Sequence, residues 1–193
     1  MIKAIIFDCF GVLVGRGFDD TYRQMGGDPA VDRKFIADVL NQANRGLISQ
    51  TEFRQAIIKH LDITINDYER AIQQAEQPNY ELLKLIKELK KHYKTAILSN
   101  VNTGVLERKI PKLSLDECFD SIIVSAEVGY MKPQPEIYSV ATKQLGVMLE
   151  ECVFIDDKQL YVDAAIKVGM QGIVYDNFDQ IKSELSSILT RQQ

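Results

Sequence analysis

The hydrophobic positions form four short continuous runs, separated by stretches with helical periodicity. The apolar runs cover residues 4–7, 95–98, 121–124 and 152–155, and the helical patterns cover residues 80–92, 136–145, 162–168 and 178–189. A continuous apolar run of this length is typical of a strand that is buried on both faces. Because such strands alternate with helices, the pattern predicts parallel βαβ units. We therefore predict an α/β fold with a Rossmann-like, doubly wound parallel sheet.

Residues 15–78 show a different pattern, with helix signals and no convincing strand. Ser49 and Glu52 have the spacing of a capping box ahead of an apolar periodicity, and Thr64 and Asp67 resemble a second one. This stretch follows the first strand, so we predict a small all-helical cap inserted after that strand and lying over its carboxyl end. The predicted domains are a core of residues 1–14 and 79–193 and a helical cap of residues 15–78.

Composition and charge narrow the classes of partner. The chain has 193 residues, 46% of them hydrophobic, and a formal net charge of -4. That charge gives no long-range attraction to phosphate backbones or anionic lipid, so we expect neither a nucleic-acid nor a membrane partner. Three cysteines without a CxxC pair suit a reducing compartment, which predicts a cytoplasmic protein. We expect the protein to be a monomer or a homodimer.

Polar residues end three of the predicted strands. Asp8 ends the first run, Ser99 and Asn100 end the second, and Asp156 and Asp157 end the last. Ligands of parallel α/β sheets bind outside the carboxyl ends of the strands, so these side chains are expected to converge. Clustered carboxylates repel one another unless they are protonated or neutralised, and a hard cation with oxygen ligands neutralises them. The sequence therefore predicts a Mg²⁺ site at this edge of the sheet.

Lys132 lies in a proline-containing segment, residues 129–136, that leads into a helical pattern. It can present a compact positive charge to an anion beside the carboxylates. Each residue alone has an ordinary interpretation: Asp8 as a turn residue, Ser99 as a helix cap, Lys132 as a solvated lysine. Their joint order along the chain favours a shared site.

In that order the chain resembles the haloacid dehalogenase-like hydrolase superfamily over nearly its whole length. The four matching motifs are residues 7–12 (Phe-Asp-Cys-Phe-Gly-Val), 98–100 (Leu-Ser-Asn), 132–133 (Lys-Pro) and 154–157 (Phe-Ile-Asp-Asp). The helical insertion looks like the cap of the first structural class. Further details, such as Arg45-Gly46 and Glu136-Ile137-Tyr138, are similar to a branch that contains sugar 1-phosphate phosphatases and the phosphatase domains of epoxide hydrolases.

The resemblance implies a Mg²⁺-dependent hydrolase of small phosphorylated metabolites. Asp8 would attack the phosphoryl group and form an aspartyl phosphate, which water then cleaves. Lys132 would supply positive charge, while the Ser99 hydroxyl and the Asn100 backbone N–H would hold phosphate oxygens. The implied Mg²⁺ ligands are Asp8, the backbone carbonyl of Phe10, Asp156 and Asp157, the last two binding directly or through water.

Phe10 departs from the phosphatase pattern. Most phosphatases of the superfamily have a second Asp at this position, which protonates the leaving group, and a phenyl ring cannot do so. The resembling sugar-phosphate branch often lacks this Asp as well. The dehalogenases also carry an aromatic residue here, so a 2-haloacid dehalogenase that uses Asp8 without metal is an alternative. Against it, the fourth motif of the dehalogenases is not an acidic pair such as Asp156 and Asp157. A second alternative is a catalytically silent phosphate- or protein-binding module.

Overall fold

The computed structural model describes residues 1–15, 18–75, 77–106, 110 and 112–190. The strands are β1 Ala4–Phe7, β2 Lys94–Ser99, β3 Ser121–Val124, β4 Cys152–Asp156 and β5 Gln171–Val174. The α-helices are α1 Phe18–Gln24, α2 Arg33–Asn44, α3 Gln50–Leu61, α4 Ile65–Ala75, α5 Tyr80–Leu89, α6 Lys112–Cys118, α7 Ser125–Val128, α8 Pro135–Leu145, α9 Gln159–Lys167 and α10 Phe178–Thr190, with a short 3-10 helix at Leu149–Glu151.

The five strands form one parallel sheet in the order β3-β2-β1-β4-β5, with β1 in the centre. Side chains of β1 alternate between two apolar layers: Ile5 and Phe7 pack with α5 and α10, and Ala4 and Ile6 pack with α8 and α9. Every residue of β1 is fully buried, as its uninterrupted apolar sequence predicts. The predicted doubly wound, Rossmann-like α/β fold is confirmed.

One strand was missing from the sequence prediction, and several element ends were displaced. β5 covers Gln171–Val174, and only Ile173 in it is buried, because it forms one edge of the sheet. Its apolar run is too short to stand out. The predicted helix 80–92 ends at Leu89, and the predicted helix 162–168 begins earlier, at Gln159. Helix ends are the least certain part of such a prediction because caps and packing set them.

Four helices, α1 to α4, form the cap that follows β1, and α5 onwards belongs with the sheet in the core. The capping box at Ser49 is present, with its hydroxyl accepting from the Glu52 N–H and the Glu52 carboxylate accepting from the Ser49 N–H. The cap has an apolar cluster of its own, centred on Tyr22 and Ile57. The residue limits predicted for the two domains stay a prediction.

The chain leaves the core for the cap and returns to it at neighbouring points. Val14 and Pro78 form an antiparallel bridge. The N–H of Gly15 donates to the Gln77 carbonyl at 3.0 Å. We call these two short segments, residues 14–15 and 77–78, the stem. None of the helices in the described part of the chain is both long and apolar enough to cross a bilayer.

Candidate active site

Asp8 lies directly after the central strand, at the carboxyl edge of the sheet. In the register of the sheet, Phe7 stands opposite Ile155, and the N–H of Asp8 donates to the Ile155 carbonyl at 2.8 Å. The carboxylate of Asp8 is buried, and its Oδ1 accepts from the N–H of Cys9 at 2.6 Å. The central strand therefore fixes both the position and the orientation of this carboxylate.

Lys132 is buried in the protein, with 1% of the residue exposed. Its Nζ lies 2.9 Å from Asp8 Oδ1 and 2.6 Å from Asp156 Oδ2. Burial disfavours the charged form of the lysine, but the two carboxylates outweigh this cost and raise the pKa of Lys132 to about 12. The ammonium also lies 5.1 Å from the ring centroid of Tyr161. The interpretation of Lys132 as a solvated lysine is wrong, since it forms the centre of the site.

Asn100 holds the backbone of Lys132 in place. Its Nδ2 donates to the Lys132 carbonyl at 2.9 Å, and its Oδ1 accepts from the Lys132 N–H at 2.8 Å. From the sequence, only the backbone N–H of Asn100 is predicted to take part in the site. The pairing of its side chain with a loop 32 residues later has no signal in a single sequence.

Three carboxylates meet beside Lys132. Asp8, Asp156 and Asp157 each offer an oxygen atom, and these atoms lie within 4.8 Å of one another. Burial, reinforced by the charge of Asp8, raises the pKa of Asp156 to about 7, and the same causes raise the pKa of Asp157. Asp157 Oδ1 is buried without a hydrogen-bond partner. Elevated pKa values and an unpaired acceptor are the features that a cation would relieve, so this donor set fits Mg²⁺.

The backbone after Asp8 passes very close to the carboxylate of Asp157. Gly11 has φ of 90°, and a Cβ atom built on it would lie 2.5 Å from Asp157 Oδ2. Only glycine fits this conformation and this space without displacing the acid. Phe10, one residue earlier, is half-buried and lines the cavity described next.

A cavity of about 650 Å³ lies between core and cap. Of the residues predicted for the site, Asp8, Phe10, Ser99, Asn100 and Lys132 line it. Asp156 and Asp157 contribute the carboxylate cluster around Asp8. The structure thus brings all the predicted site residues together at one end of one cavity.

Two residues that follow the fourth motif, Lys158 and Tyr161, line the same cavity. Lys158 is exposed, and its ammonium lies 5.5 Å from the ring centroid of Tyr161. The Lys158 N–H donates to Asp156 Oδ1 at 2.9 Å. Tyr161 is not among the residues predicted for the site from the sequence.

Known proteins resemble this chain in sequence and in fold. The chain is 26% identical over 204 aligned residues to D-ribitol-5-phosphate phosphatase of Bacteroides thetaiotaomicron, covering 98% of this chain and 99% of that protein. A HAD-family enzyme of the same organism, solved with magnesium and inorganic phosphate, has a TM-score of 0.75 at 23% identity, covering 94% of this chain and 99% of the other. L-2-haloacid dehalogenase from Xanthobacter autotrophicus, solved with covalently bound chloropropionic acid, has a TM-score of 0.62 at 23% identity, with coverages of 97% and 83%.

The two structural likenesses show the fold, which phosphatases and dehalogenases share. The profile of the haloacid dehalogenase-like hydrolases matches residues 2–169. The family predicted from the four motifs is therefore confirmed, as is the prediction that the protein is an enzyme. The chain, whose relatives include proteins named as phosphatases, belongs to the haloacid dehalogenase-like hydrolase family.

Proposed function

We propose that this protein is a Mg²⁺-dependent phosphomonoesterase that acts on small phosphorylated metabolites through an aspartyl phosphate on Asp8. The observation that supports this most strongly is the position of Asp8. Its buried carboxylate lies between the ammonium of Lys132 and the carboxylates of Asp156 and Asp157, at the end of a cavity large enough for a metabolite. The likeness to a sugar-alcohol phosphatase over nearly the full chain supports the same reaction class.

The proposed reaction has two steps at phosphorus. An oxygen of Asp8 forms a bond to phosphorus while the ester bond breaks, and the leaving oxygen departs as an alkoxide that takes a proton from water. Water then attacks the aspartyl phosphate, which releases inorganic phosphate and restores the carboxylate. Lys132 stabilises the charge that develops on the phosphoryl oxygens, because its ammonium is fixed in place before the substrate arrives.

Ser99 and Asn100 would orient the phosphoryl group. The hydroxyl of Ser99 and the backbone N–H of Asn100 are proposed to donate to its non-bridging oxygens, since both residues line the cavity at the end of β2. The proposed metal ligands are Asp8, the Phe10 carbonyl, Asp156 and Asp157. When bound, Mg²⁺ would neutralise charge on the phosphoryl group and so allow a carboxylate to approach it.

The decisive experiment measures phosphate release by the parent and by Asp8→Asn. Asp163→Asn is the matched control, because Asp163 is an exposed acid on α9 that hydrogen-bonds to Gln159. We expect Asp8→Asn to abolish turnover, Asp163→Asn to retain it, and a chelator to abolish turnover in both active proteins. Turnover at the parent rate in Asp8→Asn would refute the assignment of the nucleophile.

A dehalogenase is the competing function, and the aromatic ring of Phe10 favours it. The cluster of three carboxylates argues against it, because such a cluster suits a metal ion. A dehalogenase attacks carbon rather than a charged phosphoryl group, so it needs no metal to neutralise its substrate. Incubation with a 2-chloroacid in the presence of chelator tests it: chloride release at a rate that Asp8→Asn abolishes would establish the dehalogenase. Stoichiometric phosphate binding with neither reaction would instead support the catalytically silent module.

A further inference from the structure

Apolar side chains of the cap form one wall of the active-site cavity. Its lining includes Phe18, Met25, Leu40, Phe53, Tyr68 and Ile72, which come from the four cap helices and, for Met25, from the turn after α1. Four of these side chains, Phe18, Leu40, Phe53 and Ile72, are only half-buried although they pack against the cluster inside the cap. The opposite end of the cavity carries Asp8 and Lys132, so the cavity has one charged end and one apolar wall.

Contacts within the cap hold this wall in place. The ring of Phe18 packs edge-on to Phe53, with centroids 5.9 Å apart, and lies 5.5 Å from the ring of Tyr22. Arg54 and Glu69 also line the cavity, but they pair with each other at 2.9 Å. The two charges therefore offset each other within the cap, and an apolar group in the cavity leaves this pair in place.

Apart from Thr21, which is buried on α1, the other polar residues of the cap lining are grouped where the cap meets the core. They are Asn41, Asn44, Gln50 and Thr51, at the end of α2 and the start of α3. The segment between these helices is bonded to the core: Ser125 Oγ donates to the Asn44 carbonyl at 2.6 Å, and Asn102 Nδ2 donates to the Ile48 carbonyl at 3.1 Å. Polar groups thus lie along the junction of cap and core, and the rest of the cap lining is apolar except for Thr21 and the paired Arg54 and Glu69.

We propose that the substrate is a phosphate monoester whose alcohol carries an extended apolar group, either a chain or a ring system. This inference rests on the proposed function. The phosphate would lie at Asp8 and Lys132, and the apolar group would pack against Leu40, Phe53 and Ile72. A cavity of about 650 Å³ is much larger than a phosphate needs, and burial of an apolar group in it removes hydrocarbon surface from water on both sides.

The test is a homologous series of n-alkylphosphonates, from ethyl to octyl, titrated calorimetrically into the protein with Mg²⁺. The head group is constant and cannot be hydrolysed, so neither turnover nor leaving-group basicity affects the result. We expect the dissociation constant to fall about two- to fourfold for each added methylene until the cavity is filled. A dissociation constant that does not change with chain length would overturn the inference.

Leu40→Gln places an amide on the wall, and Leu47→Gln makes the same change at a residue that is 69% exposed and lies outside the cavity lining. We expect Leu40→Gln to reduce the gain per methylene and Leu47→Gln to keep the parent value, with thermal unfolding confirming that both variants fold. Equal gains in the parent and in Leu40→Gln would overturn the placement on this wall.

Hydrolysis of acetyl phosphate, measured on the same samples, separates this inference from the proposed function. Hydrolysis together with flat phosphonate binding overturns the apolar substrate alone. Absence of hydrolysis together with binding that strengthens with chain length overturns the phosphatase and supports the apolar site.

Discussion

Gly11→Ala tests the close approach between the loop after Asp8 and the carboxylate of Asp157. The new methyl group would lie 2.5 Å from Asp157 Oδ2 and 2.6 Å from its Cγ. Heavy atoms pack at about 3.5 Å, so the carboxylate has to retreat by about 1 Å or change its rotamer. Either movement takes an oxygen away from the cluster that it forms with Asp8 and Asp156.

Two effects contribute to the expected change. The positive φ of Gly11 costs an alanine about 1–2 kcal/mol in stability whatever surrounds it. Displacement of a metal-site carboxylate is expected to weaken Mg²⁺ binding about 10- to 100-fold. Each tenfold loss of affinity removes about 1.4 kcal/mol of the stabilisation that a given excess of Mg²⁺ provides.

Gly26→Ala is the matched control. Gly26 has φ of 89°, close to the 90° of Gly11, but its added Cβ would have nothing within 4 Å. Urea unfolding with chelator and with excess Mg²⁺ gives the metal-linked stabilisation of each variant. We expect both variants to lose stability in chelator, and only Gly11→Ala to lose the increment from Mg²⁺. An equal Mg²⁺ increment in the two variants would refute the role given to Asp157.

Three more outcomes are expected. Lys132→Met should strongly lower kcat/KM for acetyl phosphate, and an unchanged kcat/KM would show that Lys132 takes no part in the reaction. The same variant should lower the free energy of unfolding of the metal-free protein by about 3–5 kcal/mol in urea at pH 8, because buried carboxylates lose their cation. The folded-state pKa of Asp156 is about 7 against an ordinary 3.8, so the folded protein binds the additional proton between these values, and the stability of the metal-free protein should fall as pH rises from about 4 to 7. Asp156→Asn should flatten that fall, and a parent stability that rises over this range would contradict the pKa shift. Phe10 provides no proton for the leaving group, so a Brønsted plot of rate against leaving-group pKa over aryl and alkyl phosphates should be steep for the parent and flatter for Phe10→Asp. Acyl phosphates, aryl phosphates and sugar 1-phosphates should be hydrolysed faster than primary alkyl phosphates. A flat parent plot with rate-limiting chemistry would show that another group donates the proton.

The acidic part of the site could be predicted because its signals are local. Asp8 and Asp156 end apolar runs, and parallel strands place their carboxyl ends at one edge. The burial of Lys132 could not be predicted in the same way. A lysine in a proline-containing loop is ordinarily solvated, and only the two carboxylates that the fold brings within 2.9 Å of its ammonium make burial favourable.

The cap shows a second limit of prediction from sequence. Capping residues such as Ser49 mark where a helix begins, and apolar periodicity shows that a helix has a buried side. Periodicity does not show whether Leu40 or Phe53 faces the inside of the cap or the cavity, since both surroundings favour the same residue types. β5 shows the same limit at the sheet edge, where Gln171 and Gly172 interrupt the apolar pattern.

The stem has a consequence for how this architecture diversifies. The chain leaves the core at Gly15 and returns to it at Gln77, and a direct hydrogen bond joins these two residues. The two ends of the inserted segment are therefore held together next to the core. The entropy of closing such an excursion grows only with the logarithm of its length, so longer, shorter or differently folded inserts cost the sheet little. Selection can therefore rewrite the insert while the strand that carries Asp8 stays unchanged, and the choice of substrate and the chemistry can evolve at separate rates within one gene.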